Sequence, residues 1–164
     1  MNYIDVLRWL HILAGAAWLG EVLVVSFILV PVLGRLEIDK RGWFMAMIFP
    51  RIFRLATILS VTTILAGAAL NLSLSGWRVD VALTILVSTR WGQSILIGGA
   101  LGLGLTLFHL FIEHRLEPHV RNANEVIDDE AFADIMRRLR IIPRVGLGII
   151  VLIFVLMMFA ANGQ

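Results

Sequence analysis

The chain has 164 residues, of which 59% are hydrophobic and only 16% are charged, with a formal net charge of +2. Soluble domains carry about 25% charged residues, so this composition excludes an ordinary water-soluble fold and indicates a chain that is dissolved in lipid. The sequence contains no cysteine, which excludes disulfide bonds and thiolate metal ligands. Because the basic residues are clustered between apolar stretches, we expect them to orient the chain in a membrane and not to bind nucleic acid.

Four apolar stretches of the sequence are long enough to cross a bilayer as helices, which takes about 20 residues each. Polar backbone groups in hydrocarbon must be hydrogen-bonded within their own segment, so these stretches should be helical although they are rich in β-branched residues. We therefore predict one all-α domain over residues 1–164, built as a bundle of four transmembrane helices. The predicted spans are residues 7–33, 52–74, 93–112 and 145–161.

The basic residues predict the orientation of the bundle, because cytoplasmic loops carry the excess of Lys and Arg. Eleven of them lie around the first and third connections, and the opposite side has only three, Arg8, Arg78 and Arg90. In a bacterial inner membrane this distribution places both connections in the cytoplasm and both termini on the periplasmic side (N-out and C-out). The eleven are Arg35, Lys40, Arg41, Arg51, Arg54, Arg115, Arg121, Arg137, Arg138, Arg140 and Arg144.

The second connection, residues 75–90, contains Trp77 and the moderately apolar run 79–87, and Trp91 follows it. Tryptophan is enriched where a membrane meets water. This pattern predicts a short helix that lies at the outer interface, with a β-hairpin as the alternative.

The third connection is the longest and the most charged. Within residues 128–142, apolar side chains recur at helical spacing behind an acidic start. We predict an amphipathic cytoplasmic helix here, between the third and fourth spans. The arginines of the segment 128–144 are expected to contact anionic lipid headgroups. The apolar positions are Phe132, Ile135, Leu139 and Ile142.

Ionisable side chains inside membrane spans are costly, so they indicate pairing or function. Glu21 in the first span and His109 in the third fall at similar depths, and Glu113 follows His109 by one helical turn. Together with Arg54 from the second span they predict a polar cluster. The spacing leaves open whether the cluster is a structural ion-pair network or a metal or proton site.

His11 lies about one helical turn into the first span, near its outer end. A neutral imidazole there can ligate haem iron or copper, or it can bond to a backbone carbonyl or to a side chain such as Asn71 or Gln93. At the helical rise per residue, His11 is separated from Glu21 by about 15 Å and from His109 by roughly 16 Å. We therefore do not expect both histidines to hold the same haem.

Residues 10–20, with the sequence LHILAGAAWLG, place His11 and Trp18 two helical turns apart on one face. This run resembles the first helix of the copper-resistance D-type (CopD-like) membrane family, and also that of the HemJ-type protoporphyrinogen oxidases. The segment FPRIFR at residues 49–54 and the four-span plan extend the similarity over most of the chain.

The resemblance implies that the bundle binds haem b or copper, with His11 and Trp18 as cofactor-binding residues. HemJ-like proteins carry a Lys shortly after the Trp that opens the third helix. Here Trp91 is followed by Gly92, and the only lysine in the chain is Lys40, so the sequence departs from the oxidase pattern. The candidate metal ligands are His11, Glu21, His109 and Glu113.

The leading hypothesis from the sequence is a small membrane protein that binds haem or a metal ion for redox chemistry or metal handling. One alternative is transport of copper or protons through the bundle, with Glu21 and His109 on the path. The other is a structural subunit, either in a homo-oligomer or in a larger membrane complex. No nucleotide-binding loop, nucleophile triad or HExxH motif occurs in the sequence, so hydrolytic catalysis has no support, and enzyme activity is otherwise left open.

Overall fold

A computed structural model of the protein describes residues 2–121 and 129–162, with side chains described for residues 2–115 and 132–161. These residues form helices and short turns, and no strand occurs among them. The elements are α1 (Tyr3–Val24), a π-helical segment (Val25–Leu29), α2 (Val30–Arg35), α3 (Ile38–Leu74), α4 (Val79–Ser88), α5 (Arg90–Arg121) and α6 (Asp129–Asn162).

The prediction of four membrane-spanning helices is confirmed in its coarse form: four helices are long and apolar enough to cross a membrane. They extend beyond the predicted spans, because helical structure continues into the charged flanks. α1, the π-helical segment and α2 make one helix, Tyr3–Arg35. The connection from this first helix to α3 is reduced to Leu36 and Glu37. The other apolar stretches lie in Ile38–Leu74, Arg90–Arg115 and Phe132–Ala161.

The first helix begins at a capping box. The Asn2 side chain accepts a hydrogen bond from the Asp5 amide at 2.9 Å, and the Asp5 carboxylate accepts one from the Asn2 amide at 3.2 Å. These bonds satisfy amide groups that would otherwise lack a partner at the start of a helix. α3 ends in a tight turn in which Gly76 and Trp77 both have left-handed backbones, with φ of 63° and 64°.

The short helix predicted at residues 79–87 is present as α4, and the turn that follows it brings α4 against the start of α5. This close approach depends on Gly92. A Cβ atom at that position would lie 2.1 Å from the carbonyl oxygen of Ile85. α4 begins beside an exposed ion pair in which Arg78 contacts Asp80 at 2.7 Å, and this guanidinium holds the pKa of the Asp80 carboxyl below its usual range.

The segment predicted as a separate cytoplasmic helix, 128–142, is continuous with the fourth apolar stretch in α6, and residue 128 itself lies outside the described residues. α6 passes through Pro143 without ending, although proline has no amide hydrogen to give to the carbonyl four residues earlier. Its 34 residues correspond to about 51 Å, well beyond the roughly 30 Å hydrocarbon layer of a bilayer. α6 is therefore longer than the hydrocarbon layer is thick.

The long helices pack up and down, with α3 against both α1 and α5, and α5 against α6. The guanidinium of Arg41 lies 4.7 Å from the centre of the Phe132 ring, so the starts of α3 and α6 meet. Gly34, near the end of α2, also faces Met136 of α6. We call this end of the bundle the basic end. It carries Arg35, Lys40, Arg41, Arg115, Arg137 and Arg138.

The tightest packing lies toward the basic end. Leu33, Met45 and Phe49 are fully buried there, in one apolar cluster with Met136 and Leu139 of α6. Small residues bring the helices together closer to the other end. Gly98 and Gly102 of α5 both face Ile153 of α6, and Gly102 also faces Ile64 of α3.

Candidate functional site

His11 is held against α3 by one hydrogen bond. Its Nδ1 atom lies 2.8 Å from the carbonyl oxygen of Thr63. A carbonyl only accepts, so Nδ1 carries the hydrogen, and the Nε2 atom makes no hydrogen bond within the described residues. In metal-binding histidines the second ring nitrogen commonly donates to a carbonyl in this way, which fixes the ring and leaves the other nitrogen for the metal.

The His11 ring fits against α3 because residue 67 is glycine. A Cβ atom on Gly67 would lie 2.9 Å from both Nδ1 and Cε1 of His11, closer than real Cβ atoms approach other heavy atoms. Thr63 and Gly67 are one helical turn apart, so the carbonyl that accepts from His11 and the glycine that makes room for it lie on one face of α3.

His11 lies on a groove of about 580 Å³, which we call the His11 groove. Its walls come mainly from α3, α4 and α5, and its lining is almost entirely apolar. A volume of this size is within the range of about 300–1,000 Å³ that is typical of small-molecule and cofactor sites. Besides His11, the residues that line the groove include Gly67, Asn71, Leu83, Trp91 and Met157.

A second cavity, of about 90 Å³, lies where all four long helices meet. We call it the Glu21 cavity. Glu21 lines it, and the Oε2 atom of this side chain is buried without a hydrogen-bond partner in the part of the chain that is described. Most of the lining is apolar and aromatic, and the cavity also contains a histidine and an arginine. The residues that matter are Trp18, Glu21, Phe49, Phe53, His109 and Arg138.

His109 and Glu113, predicted as neighbours from their spacing, are brought together. His109 Nε2 lies 3.2 Å from the carbonyl oxygen of Phe53 and 3.7 Å from Oε2 of Glu113. The Thr57 hydroxyl donates a hydrogen bond to the same carboxylate oxygen. His109 therefore has two partners and Glu113 has two, whereas the Glu21 carboxylate of the predicted cluster has an oxygen that lacks one among the described residues.

The two sites lie at different levels of the bundle. His11 bonds to Thr63 and His109 to Phe53, which are ten residues apart on the same helix. That separation corresponds to about 15 Å along α3, so the two imidazoles do not face one common ligand. Trp18, predicted to act with His11, lines the Glu21 cavity and is 5% exposed, so the structure places it away from the His11 groove.

The predicted metal ligands do not form a cluster of metal-binding size. No group of three or more His, Asp or Glu side chains that could hold a metal ion occurs among the described residues. Glu21 and His109 line the same cavity, whereas His11 is remote from both. Arg54 is exposed and does not line the Glu21 cavity, where Arg138 is present instead.

Several features of these sites were not predicted from the sequence. The π-helical segment begins four residues after Glu21, and Ser26 within it has the other buried side-chain oxygen that lacks a partner among the described residues. π-helical turns often occur at functional sites. Thr57 and Thr63 are ordinary-looking threonines in an apolar run, and only the proximity of the Glu113 and His11 side chains reveals their roles.

Comparisons with known proteins give no relative. No family model matches the chain, no curated protein matches it, and no solved structure matches it. The resemblance of the first helix to the CopD-like and HemJ-like families therefore stays a prediction.

Proposed function

We propose that this protein binds haem b in the His11 groove, where His11 Nε2 would hold the iron. The observation that carries the proposal is the fixed imidazole. Its Nδ1 is engaged by the Thr63 carbonyl, its Nε2 has no partner in the described chain, and His11 lines an apolar groove of about 580 Å³. Haem iron is commonly bound by such a histidine, and bound haem supplies one-electron redox chemistry.

The donor set of the groove fits haem better than it fits a copper ion. Copper(I) prefers sulfur ligands, but the chain has no cysteine, and Met157 is the only described sulfur residue of the groove lining. A bare ion would also need more ligands than His11 provides, and no cluster of three His, Asp or Glu side chains exists in the described residues. A macrocycle brings four nitrogen ligands of its own, so one protein imidazole is sufficient to hold its iron.

Each residue around the groove has a distinct role in this proposal. His11 binds and orients the iron, Gly67 leaves room for the imidazole, and the apolar walls from α3, α4 and α5 exclude water. Arg90 directly precedes Trp91, which lines the groove. Of the positive charges on α5 it is therefore the nearest to the groove, and it would pair with a carboxylate group of the porphyrin.

The protein purified in detergent from haem-replete cells is expected to show a Soret band and to contain iron. The variant His11→Ala should lose the band, because no other imidazole of the described chain lines the groove. His114→Ala is the matched control: His114 is exposed on α5, so this variant should retain the band. Colourless and iron-free wild-type protein would contradict the proposal, and so would a spectrum that His11→Ala leaves unchanged.

In the same proposal the protein is a multi-pass protein of a bacterial inner membrane, with the basic end in the cytoplasm and both termini outside. The support is the distribution of basic residues, eleven on one side against three on the other. The start of α6, with Arg137 and Arg138, then faces the anionic headgroups of the inner leaflet.

A further inference from the structure

One polar group at the Glu21 cavity lacks a hydrogen-bond partner among the described residues. Of the charged and titratable groups around it, His109 on α5 is engaged by Phe53 and Glu113, and Arg138 on α6 is bonded to Asp134 at 2.8 Å. α3 contributes only apolar side chains to the described lining. Nothing in the described chain pairs with Glu21 Oε2. A buried carboxyl oxygen in this position needs a partner that these side chains do not supply.

Water fits the cavity better than an apolar ligand does. Its volume is about 90 Å³, and one water needs only about 10–15 Å³ together with two to four polar partners. Glu21 supplies one of those partners, and the Nδ1 atom of His109, which makes no hydrogen bond within the described residues, supplies another. The backbone carbonyl of Leu139 is a further available acceptor, because Pro143, four residues later in α6, has no amide hydrogen to give to it, and both residues line the cavity.

A route for water leads from this cavity toward the basic end. A neighbouring cavity of about 260 Å³ lies between α5 and α6 and is lined by Phe111 and Arg115. Three further residues, Ile112, Arg138 and Ile142, line both cavities, so the two adjoin. Arg138 is more than half exposed and remains anchored to Asp134, which places a charged, hydrated side chain at the junction.

The opposite direction is closed. Trp18, Ala56 and Ile150 line the Glu21 cavity on the side toward His11, and they are only 5%, 3% and 2% exposed. Ser60, one turn further along α3, is fully buried. Among the described residues, these side chains leave water in the Glu21 cavity no open path to the level of His11.

The cavity also lies close to the membrane surface. Arg54 directly follows Phe53 of the cavity lining and is exposed on the outside of the bundle. An exposed arginine is costly within hydrocarbon and is normally found at its edge. The level of Glu21 is therefore only a short distance inside the hydrocarbon boundary at the basic end.

We propose that water enters the bundle from the basic end, between α5 and α6 past Arg138, and that this half-channel ends at Glu21. Glu21 then exchanges protons with the aqueous phase on that one side of the membrane, and the layer of Trp18, Ala56 and Ile150 keeps the His11 level dry. The inference is independent of haem binding.

The absence of native cysteine makes the route directly testable by introduced thiols. Gly146 lines the Glu21 cavity, and a Cβ there meets only Leu105 at an ordinary 3.7 Å, so Gly146→Cys is sterically tolerated. Gly148→Cys is the matched control, because Gly148 is exposed on the outside of the same helix and should face lipid. A charged, membrane-impermeant methanethiosulfonate reacts with thiolates, which form only in contact with water.

Gly146→Cys in sealed, oriented vesicles is expected to react about tenfold faster than Gly148→Cys, because only its thiol meets water. The reaction should occur only from the side that labels Asp39→Cys, an exposed position at the start of α3 on the basic end. Equal rates for the two glycine positions would overturn the proposal, and so would labelling of Gly146→Cys from the other side. Ile142→Cys, at the junction of the two cavities, replaces Gly146→Cys if that variant does not fold.

The role of Glu21 as the end of the channel is tested in the Gly146→Cys background. Glu21→Leu removes the polar partner of the water and should slow labelling about tenfold, whereas Glu21→Gln keeps a polar group and should preserve the rate. Circular dichroism and size-exclusion chromatography verify that each variant is folded. Unchanged labelling in folded Glu21→Leu would show that the water does not depend on this residue.

Discussion

The position of His11 depends on two residues of a neighbouring helix, each with a distinct physical role. The Thr63 carbonyl has two lone pairs, so it can accept from His11 in addition to its helical bond. Gly67 leaves the space that the imidazole occupies. The sequence pointed to His11, but these partners could not be predicted, because threonine and glycine are common in membrane helices without such a role.

Replacing Gly67 with alanine is expected to displace the imidazole. The new methyl group would lie 2.9 Å from two ring atoms of His11, so the Nδ1 bond to Thr63 must break or the helices must separate. We expect a loss of about 1–3 kcal/mol in the free energy of unfolding. The Soret absorbance per protein should also decrease. Thermal unfolding and the absorbance ratio in detergent measure the two effects.

Gly104→Ala is the control for that substitution, because a Cβ on Gly104 meets nothing within 4 Å. It should leave both the spectrum and the midpoint of thermal unfolding close to the wild-type values. Identical behaviour of the Gly67 and Gly104 variants would refute the steric role of Gly67.

At the scale of the helices, the apolar stretches were predictable because hydrocarbon allows few other structures. The ends of the helices were not. The first part of α3, residues 38–48, is charged and amphipathic, and it is helical because Met45 packs into the core of the basic end, outside the predicted span. Hydropathy detects the part of a helix in lipid, whereas the part that packs in water depends on partners that are distant in sequence.

The rotation of each helix was the least predictable property. Lipid-facing and buried positions of a membrane helix are both apolar, so the sequence carries little signal for which face packs inward. The spacing of His109 and Glu113 on one helix predicted their contact, because that contact is local. The contact of Thr57 with Glu113 joins two helices, and α4 forms a wall of the His11 groove. Neither could be derived from spacing.

The turn between α4 and α5 gives the sharpest test at this scale. A methyl group on Gly92 would lie 2.1 Å from the Ile85 carbonyl oxygen, and a rigid backbone cannot move aside as a side chain can. Gly92→Ala is therefore expected to cost about 3 kcal/mol of stability, at the upper end of the range for overpacking. Gly148→Ala, in open space, should cost nothing. Equal melting temperatures for the two variants would contradict the close packing of α4 on α5.

At the scale of the whole molecule, the most buried side chains and the His11 groove lie toward opposite ends of the bundle. The fully buried side chains Leu33, Met45 and Phe49 lie toward the basic end, and the groove of about 580 Å³ lies toward the opposite end. The proposed haem and the proposed water channel therefore occupy separate halves of the protein, about 15 Å apart.

The proposed orientation predicts which end faces the cytoplasm. Tyr3 is exposed at the start of α1, and Asp39 is exposed at the start of α3 on the basic end. In intact cells a membrane-impermeant thiol reagent should label Tyr3→Cys, and it should label Asp39→Cys only after the membrane is permeabilised. The reverse pattern would invert the orientation while leaving the two sites unchanged.

α3 and α6 are both longer than the hydrocarbon layer is thick, so each is long enough to contact both lipid and water. α3 has 37 residues, or about 55 Å, which exceeds a hydrocarbon layer of roughly 30 Å by about 25 Å. In the proposed orientation the cluster of Met45 and Met136 at the basic end would lie in that excess length. Exclusion from water drives packing there, whereas the spans associate by contact and hydrogen bonding within lipid. In that orientation, urea should loosen the basic end of the bundle at concentrations that leave the lipid-embedded helices paired.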